Sequence, residues 1–269
     1  MMSIQASLYT DCTKCKGLCC RALYFSRLDG FPHDKAPGVA CRYLCDDYQC
    51  SIYHELKQKG LKGCQNYDCL GAGQAAVQKD TPTDTDLFAV YLKLYPIHQM
   101  LWYLMEAVKM KETITFQPEL QGHIRTLNSL RNQAWQNLLH ANLDSLHEQT
   151  NRMLKRTIQQ KQLQNHGLGD HLIGRRFTGQ ALRNTDFTMK PLLGADFSNC
   201  DLRGSCFLGC DLRDCTIAGS DLRGCFFLTQ MQINSARGDM LTKLPENLKR
   251  PAHWETAMHV TKSKKKNCR

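Results

Sequence analysis

Nine cysteines fall between residues 12 and 69, and four of them, Cys12, Cys15, Cys19 and Cys20, sit within nine consecutive positions. A C-x-x-C pair such as Cys12 and Cys15 suits one metal ion, because its short turn lets both sulfurs reach the ion at about 2.3 Å and leaves two tetrahedral positions for distant ligands. Cys41, Cys50, Cys64 and Cys69 follow in sequence and complete a candidate set of eight thiolates. Eight could hold two zinc ions with four sulfurs each, and zinc is the expected cofactor. An iron–sulfur cluster is the alternative, although neither ferredoxin spacing is present. Cys45 is expected in the interior as a small apolar residue. His33 and His54 are additional nitrogen donors by type, more often solvent-exposed at such positions.

The state of these sulfurs depends on compartment. Residues 1–20 carry Asp11, Lys14 and Lys16 and no apolar run, so no secretory leader is expected, and no stretch of eighteen apolar residues could span a bilayer. The expected location is the cytoplasm, where cysteines are thiols or metal ligands rather than disulfides. Chemistry of other kinds has little basis. There is no G-x-S-x-G, P-loop or H-E-x-x-H, and Gly71-Ala-Gly73 is too short for a nucleotide site. The net charge of +10 draws five of its charges from Lys262, Lys264, Lys265, Lys266 and Arg269. Such a run reads as a solvated tail, so neither nucleic acid nor membrane is the expected partner.

Three helical segments must position the cysteine-rich head. Residues 84–110 carry Leu87, Val90, Tyr91, Leu94, Ile97, Leu101, Leu104 and Met105 on a broad apolar face behind an acidic first turn, with Pro96 expected to kink or split the helix. Residues 119–139 repeat apolar positions at Leu120, Ile124, Leu127, Leu130, Ala134 and Leu138, and a third helix is expected from about Leu143 to Leu163, stopping at His166-Gly167. These helices must bury their faces on one another, on the head, or over the segment that follows. Trp102, Trp135 and His98 belong to core or rim rather than to a site.

That following segment has a different beat. From Leu172 to Phe227 an apolar residue occupies every fifth position, through Phe177, Leu182, Phe187, Leu192, Phe197, Leu202, Phe207, Leu212, Ile217 and Leu222. Neither a 3.6-residue helix nor an alternating strand keeps that count. The chain must turn every five residues, and every twentieth inward residue is alike, as in the column Phe187, Phe207, Phe227. Small residues mark the corners at Ala195, Cys200, Ser205, Cys210, Cys215, Ser220 and Cys225, where the cysteines read as filler. The rule fails at Asp170, Arg175, Gln180, Thr185 and Lys190. Cys206 is expected to face outward and to be reactive. Within residues 170–229 seven Lys and Arg balance seven Asp, so the walls carry no net charge.

Segments such as Cys200-Asp-Leu-Arg-Gly, Cys210-Asp-Leu-Arg-Asp and Ser220-Asp-Leu-Arg-Gly resemble pentapeptide repeats. The resemblance implies a mainly β solenoid, a right-handed quadrilateral β-helix of about three coils, preceded by the helical region and the small head. The expected segments are a cysteine-rich domain over 1–80, helices over 81–167, repeats over 168–232, and a cap with a basic tail over 233–269. The run from Cys12 to Cys20, with Asp47-Tyr-Gln-Cys50, Gly60-Leu-Lys-Gly-Cys64 and Asp68-Cys-Leu-Gly-Ala-Gly-Gln74, is similar to a bacterial subgroup of pentapeptide-repeat proteins whose heads resemble C-x-x-C-x-x-C-C zinc- or iron-chelating proteins. This chain has one more residue between Cys15 and Cys19, and Tyr53 stands where that subgroup has a histidine. The expectation is a non-enzymatic, metal-binding scaffold for a protein partner, with a homodimer possible through exposed coil ends. The competing readings are an iron–sulfur redox or metal-handling protein and, with least support, a DNA mimic that protects topoisomerase. Mimicry needs a long acidic rod, which neutral walls do not supply.

Overall fold

Each five-residue unit in the repeat segment is a β-turn followed by a single paired residue. The N–H groups of Ala195, Cys200 and Ser205 close turns onto the carbonyls of Leu192, Phe197 and Leu202 at 2.9, 3.1 and 3.1 Å. The third residue of such a turn takes a positive φ, as at Gly204 (74°) and Asn199 (58°), which selects glycine or asparagine there. The computed structural model describes residues 2–169 and 171–254. Asp170 and the basic tail with Cys268 lie outside the described residues.

The expectation of a mainly β solenoid, a right-handed quadrilateral β-helix, is not met. Among the described residues there is no β-strand and no sheet, and helices account for 43% of them. The reason is local. A turn takes four residues of every five, so no two consecutive residues are left to form a ladder. Bridge pairing in the repeats takes the form of isolated parallel bridges, most of them twenty residues apart, as in Arg176 to Asp196, Asp196 to Thr216 and Asp186 to Cys206, and turn residues add further backbone bonds to the next coil, as from the Gly179 N–H to the Ser198 carbonyl.

The fivefold beat itself is packing. All twelve inward residues from Leu172 to Phe227 are buried. Phe177 and Phe197 stack with centroids 4.7 Å apart, and Phe187 and Phe207 at 5.1 Å. Corner side chains do more than fill space. Cys200 Sγ, Ser205 Oγ and Cys225 Sγ donate to the carbonyls of Phe177, Leu182 and Leu202 at 3.0, 2.9 and 3.0 Å, so a thiol or hydroxyl satisfies an acceptor twenty-three residues earlier. Burial pushes the Cys215 thiol up to about 12, which keeps it protonated as such a donor. Thr185 obeys the corner rule after all, buried with Oγ1 donating to Leu182 at 2.7 Å. Cys206 does not face solvent. It is fully buried with its sulfur 3.3 Å from Thr188 Oγ1, so the expected reactivity is withdrawn.

The motif Asp-x-Arg has a reason too. Asp201, Asp211 and Asp221 each accept the N–H two residues on, and Arg203, Arg213 and Arg223 fold back onto those same carboxylates at 2.8, 2.7 and 2.6 Å. Beyond Phe227, helix Gln230–Ser235 opens with a capping box of Thr229 and Gln232.

The described residues divide into two units, one from residues up to Gly63 with Asp68–Gln160, the other from Cys64–Tyr67 with residues 161–254. In the first unit the helices are α1 (Met2–Ala6), α2 (Leu18–Ala22), α4 (Ala72–Val77), α5 (Asp84–Ala107), α6 (Gln117–Asn132), α7 (Trp135–His140) and α8 (Asp144–Gln160), with α3 (Lys62–Asn66) at the unit boundary. Helix α5 is the hub, packed against α2, α4, α6, α7 and α8. Pro96 neither splits nor ends it. The carbonyl a proline cannot pair belongs to Leu92, an exposed residue, where water can take the missing donor's place. The helix expected over 119–139 is instead α6 and α7, broken at Gln133, whose carbonyl receives the Lys79 ammonium at 2.7 Å, and Ala134 is exposed rather than on the apolar stripe.

Two buried histidines hold this bundle in their neutral form. His98 Nδ1 lies 2.7 Å from the Leu70 carbonyl, and His123 Nε2 lies 2.9 Å from Thr150 Oγ1. Burial above all pushes His98 down to about 4, with the nearby Arg131 acting the same way, and burial lowers His123 as well. Both folded values lie below the unfolded one of about 6.5, so their contribution is complete above that pH and is lost as pH falls toward 4. The unfolding midpoint should therefore decline from pH 7 to pH 4.5, and a His98→Gln, His123→Gln double variant should show a shallower decline. Equal slopes would contradict this role.

Candidate functional site

Short, locally capped segments set out the thiols of the head. Cys12 opens a 3-10 turn, Cys12–Lys14, capped by Asp11, whose carboxylate accepts the Thr13 N–H at 3.1 Å and pairs with Lys14 at 3.0 Å. Gly17 then reverses the chain into α2, which carries Cys19 and Cys20 with their sulfurs 4.0 Å apart. The Cys41 N–H bonds the Cys20 carbonyl at 2.9 Å, and an isolated bridge pairs Leu44 with Cys50.

Cys69 arrives from the turn before α4. Thr10 Oγ1 stands 3.4 Å from its sulfur and donates to Asp68 at 2.7 Å. Gln74 ties α4 to the same stretch, accepting the Asp11 N–H at 2.7 Å and donating to the Tyr9 carbonyl at 3.1 Å. Beneath, the buried His98 holds the Leu70 carbonyl.

Gly73 keeps the space between two thiols open. A Cβ there would stand 2.8 Å from Cys15 Sγ and 3.7 Å from Cys69 Sγ. Backbone N–H groups point at the same sulfurs, those of Leu18 and Gly17 at Cys15, those of Gly73 and Gly71 at Cys69, and that of Ile52 at Cys50. Such donors favour a thiolate. Desolvation works the other way, and it prevails. Burial, followed by the charges of Cys19, Cys69 and Cys15, pushes Cys12 up to about 12, even though the residue as a whole is exposed. Burial likewise raises Cys15, Cys50 and Cys69, and hydrogen bonding between its thiol and that of Cys20, followed by burial, raises Cys19.

Seven of the eight sequence-derived ligands, Cys12, Cys15, Cys19, Cys20, Cys41, Cys50 and Cys69, lie in this unit. Cys64 does not, because segment Cys64–Tyr67 belongs with the repeats, where Asn234 donates to the Asn66 carbonyl at 3.3 Å. Cys45 is only half-buried, contrary to the interior position expected for it. His33 and His54 are exposed. Among the described residues no group of three or more His, Cys, Asp or Glu side chains stands close enough to hold a metal ion, so the thiols are gathered without being closed on a point. The donor set suits a soft or borderline cation in chemistry.

Several contributors were not legible as such. Thr10, Asp68, Gly73 and Gln74 act on Cys69 or on the gap beside it, and only the nearness of Asp68, Gly73 and Gln74 to a cysteine could have flagged them. Tyr53 stands where the resembled subgroup has a histidine, and its phenol is raised by burial and then by the charges of Cys12, Asp68, Cys19 and Cys50.

The Pentapeptide repeats family matches residues 192–227 in eight copies. The uncharacterized protein YybG of Bacillus subtilis (strain 168) is 43% identical over 270 residues, covering 94% of this chain and 97% of that one. A crystal structure of a pentapeptide repeat protein from the Arabidopsis thaliana thylakoid lumen is 21% identical over 29% of this chain and 59% of its own, with a TM-score of 0.18, too low to bear on the fold. No helix among the described residues is long and apolar enough to cross a membrane.

Proposed function

We propose that this chain, which belongs to the family of Bacillus subtilis YybG and carries pentapeptide repeats, is a non-enzymatic scaffold with a zinc-clipped head, a helical hub and a repeat segment whose walls bind a protein partner in the cytoplasm. One observation carries the scaffold reading. The repeat's charges are spent on one another, Arg203, Arg213 and Arg223 each lying on an aspartate of the same unit. Pairs this exposed add little stability. Their effect is on shape and charge, a neutral, regular wall over a buried core, and such a surface loses little order on binding. It also lacks the unpaired acidic ladder that imitation of duplex phosphates requires.

Support for the metal is the gathered head. Cys12, Cys15, Cys19 and Cys69 come from two distant stretches of chain and act electrostatically on one another. Zinc would stabilise their thiolate forms and tie the N-terminal segment to α4. Iron is the second reading, and a brown colour after anaerobic purification would favour it over colourless protein.

A photoreactive residue in place of the exposed Arg213 tests the scaffold. Irradiation in the native host should give a discrete protein adduct, absent when the probe replaces a buried residue such as Leu212. Cross-linking to nucleic acid, or no adduct at any exposed wall position, would overturn the proposal.

A further inference from the structure

We propose that His98 is the positioning residue of Cys69: through its bond to the Leu70 carbonyl it locks a left-handed turn that fixes the Cys69 sulfur against Thr10 and on the Cys15 side of α4. The inference builds on the reading of the head as a place where thiols are gathered, but it concerns where one sulfur is held, so its test needs no metal.

A histidine at this place in α5 carries a cost. His98 is fully buried. A carbonyl oxygen can only accept, so Nδ1, 2.7 Å from the Leu70 oxygen, bears the proton and Nε2 is left a bare acceptor. That nitrogen is buried and, among the described residues, has no hydrogen-bond partner. An apolar residue would avoid the unmet acceptor, so what the imidazole supplies here is its single bond to Leu70.

Leu70 is where such a bond matters. Its φ of 50° lies in the left-handed region, which a bulky side chain rarely adopts, and the side chain is buried. Gly71 follows at 76°, packed so closely that a Cβ there would stand 2.2 Å from the Ser7 carbonyl oxygen. Within the turn, the Leu70 N–H donates to Asp68 Oδ1 at 2.7 Å and the Ala72 N–H to the Cys69 carbonyl at 2.9 Å. The bond from His98 is the hold that α5 adds. Cys69 sits at the start of this turn. Its sulfur is 3.4 Å from Thr10 Oγ1, which donates to the same Asp68 oxygen, and the Gly73 Cβ position lies 3.7 Å from it and 2.8 Å from Cys15 Sγ. Release of Leu70 to a right-handed or extended backbone would redirect residues 68–72 and carry the Cys69 sulfur away from Thr10.

The test measures alkylation of Cys69 by iodoacetamide in anaerobically purified full-length protein, resolved from the other cysteines by mass spectrometry. Asparagine carries an amide N–H near the place of Nδ1–H, whereas the glutamine amide reaches toward Nε2. His98→Asn should therefore keep Cys69 within about twofold of the wild-type rate, while His98→Gln and His98→Leu, each without the buried bond, should label it about tenfold faster. Leu120→Ala, which truncates a fully buried residue of α6, is the control for lost stability and should leave the Cys69 rate near that of wild type. Fast labelling in His98→Asn, a wild-type rate in His98→Gln, or equal rates in Leu120→Ala and His98→Gln would overturn the positioning role. A metal-free wild type that shows the expected pattern would instead overturn the zinc clip and leave the role of His98 standing.

Discussion

Phe197→Ala is expected to destabilise the repeat unit by about 3–5 kcal/mol. The ring is fully buried, stacked on Phe177 at 4.7 Å and set edge-on against Phe187 at 5.5 Å. Truncation removes both aromatic contacts and leaves a cavity that the neighbours cannot fill. Each is fixed in place by its own β-turn and by a bridge to residues twenty positions away, so collapse around the gap would break backbone pairing. A chain built of isolated bridges has no continuous ladder to resist that loss. Arg213→Ala, which removes only a surface pair, should cost no more than about 1 kcal/mol. Denaturant unfolding of the two variants beside wild type checks the contrast. A Phe197→Ala cost below that of Arg213→Ala would show that the inward column does not hold the unit together.

The second large effect is expected in the head. A Cys12→Ser, Cys15→Ser double variant should lose its metal and with it the order of the N-terminal segment. Structural zinc contributes apparent binding free energies on the order of 10 kcal/mol in small domains, where little else stabilises the fold. The head is of that kind. Between Cys12 and Cys50 its only regular elements are the 3-10 turns and the five-residue α2. With the metal gone, a thiol-labelling reagent should reach Cys19, Cys41 and Cys50 quickly, while Cys200 and Cys215, buried in the repeats, stay protected. Helix α5 should keep its contacts with α6 and α8, so the loss should be local.

How far these features could be read beforehand differs between the two units. The inward positions from Leu172 to Phe227 were legible because one chemical type recurs at one spacing, and burial follows from that alone. The absence of strands was not, because composition does not say that each turn leaves a single residue to pair. Cys206 was misplaced for a related reason. Its position in the repeat points away from the inward column, and only the surroundings of that wall decide whether water reaches it. The corner cysteines were recognised as small but not as donors, since their acceptors lie twenty-three residues back. In the head, the cysteines announced themselves by density, yet the residues arranging Cys69 did not, as Thr10 meets it across fifty-nine positions of sequence. Cys64 looked like its neighbours in sequence and belongs to the other unit. The break at Gln133 was equally hidden, because an apolar stripe continues across it to Leu138.

Elemental analysis of anaerobically purified wild type and the Cys12→Ser, Cys15→Ser variant, paired with thermal unfolding of both, bears most directly on the clipped head. Stoichiometric zinc in wild type, with loss of metal and a lowered unfolding midpoint in the variant, is the expected outcome. Two metal-free proteins of equal stability would contradict it.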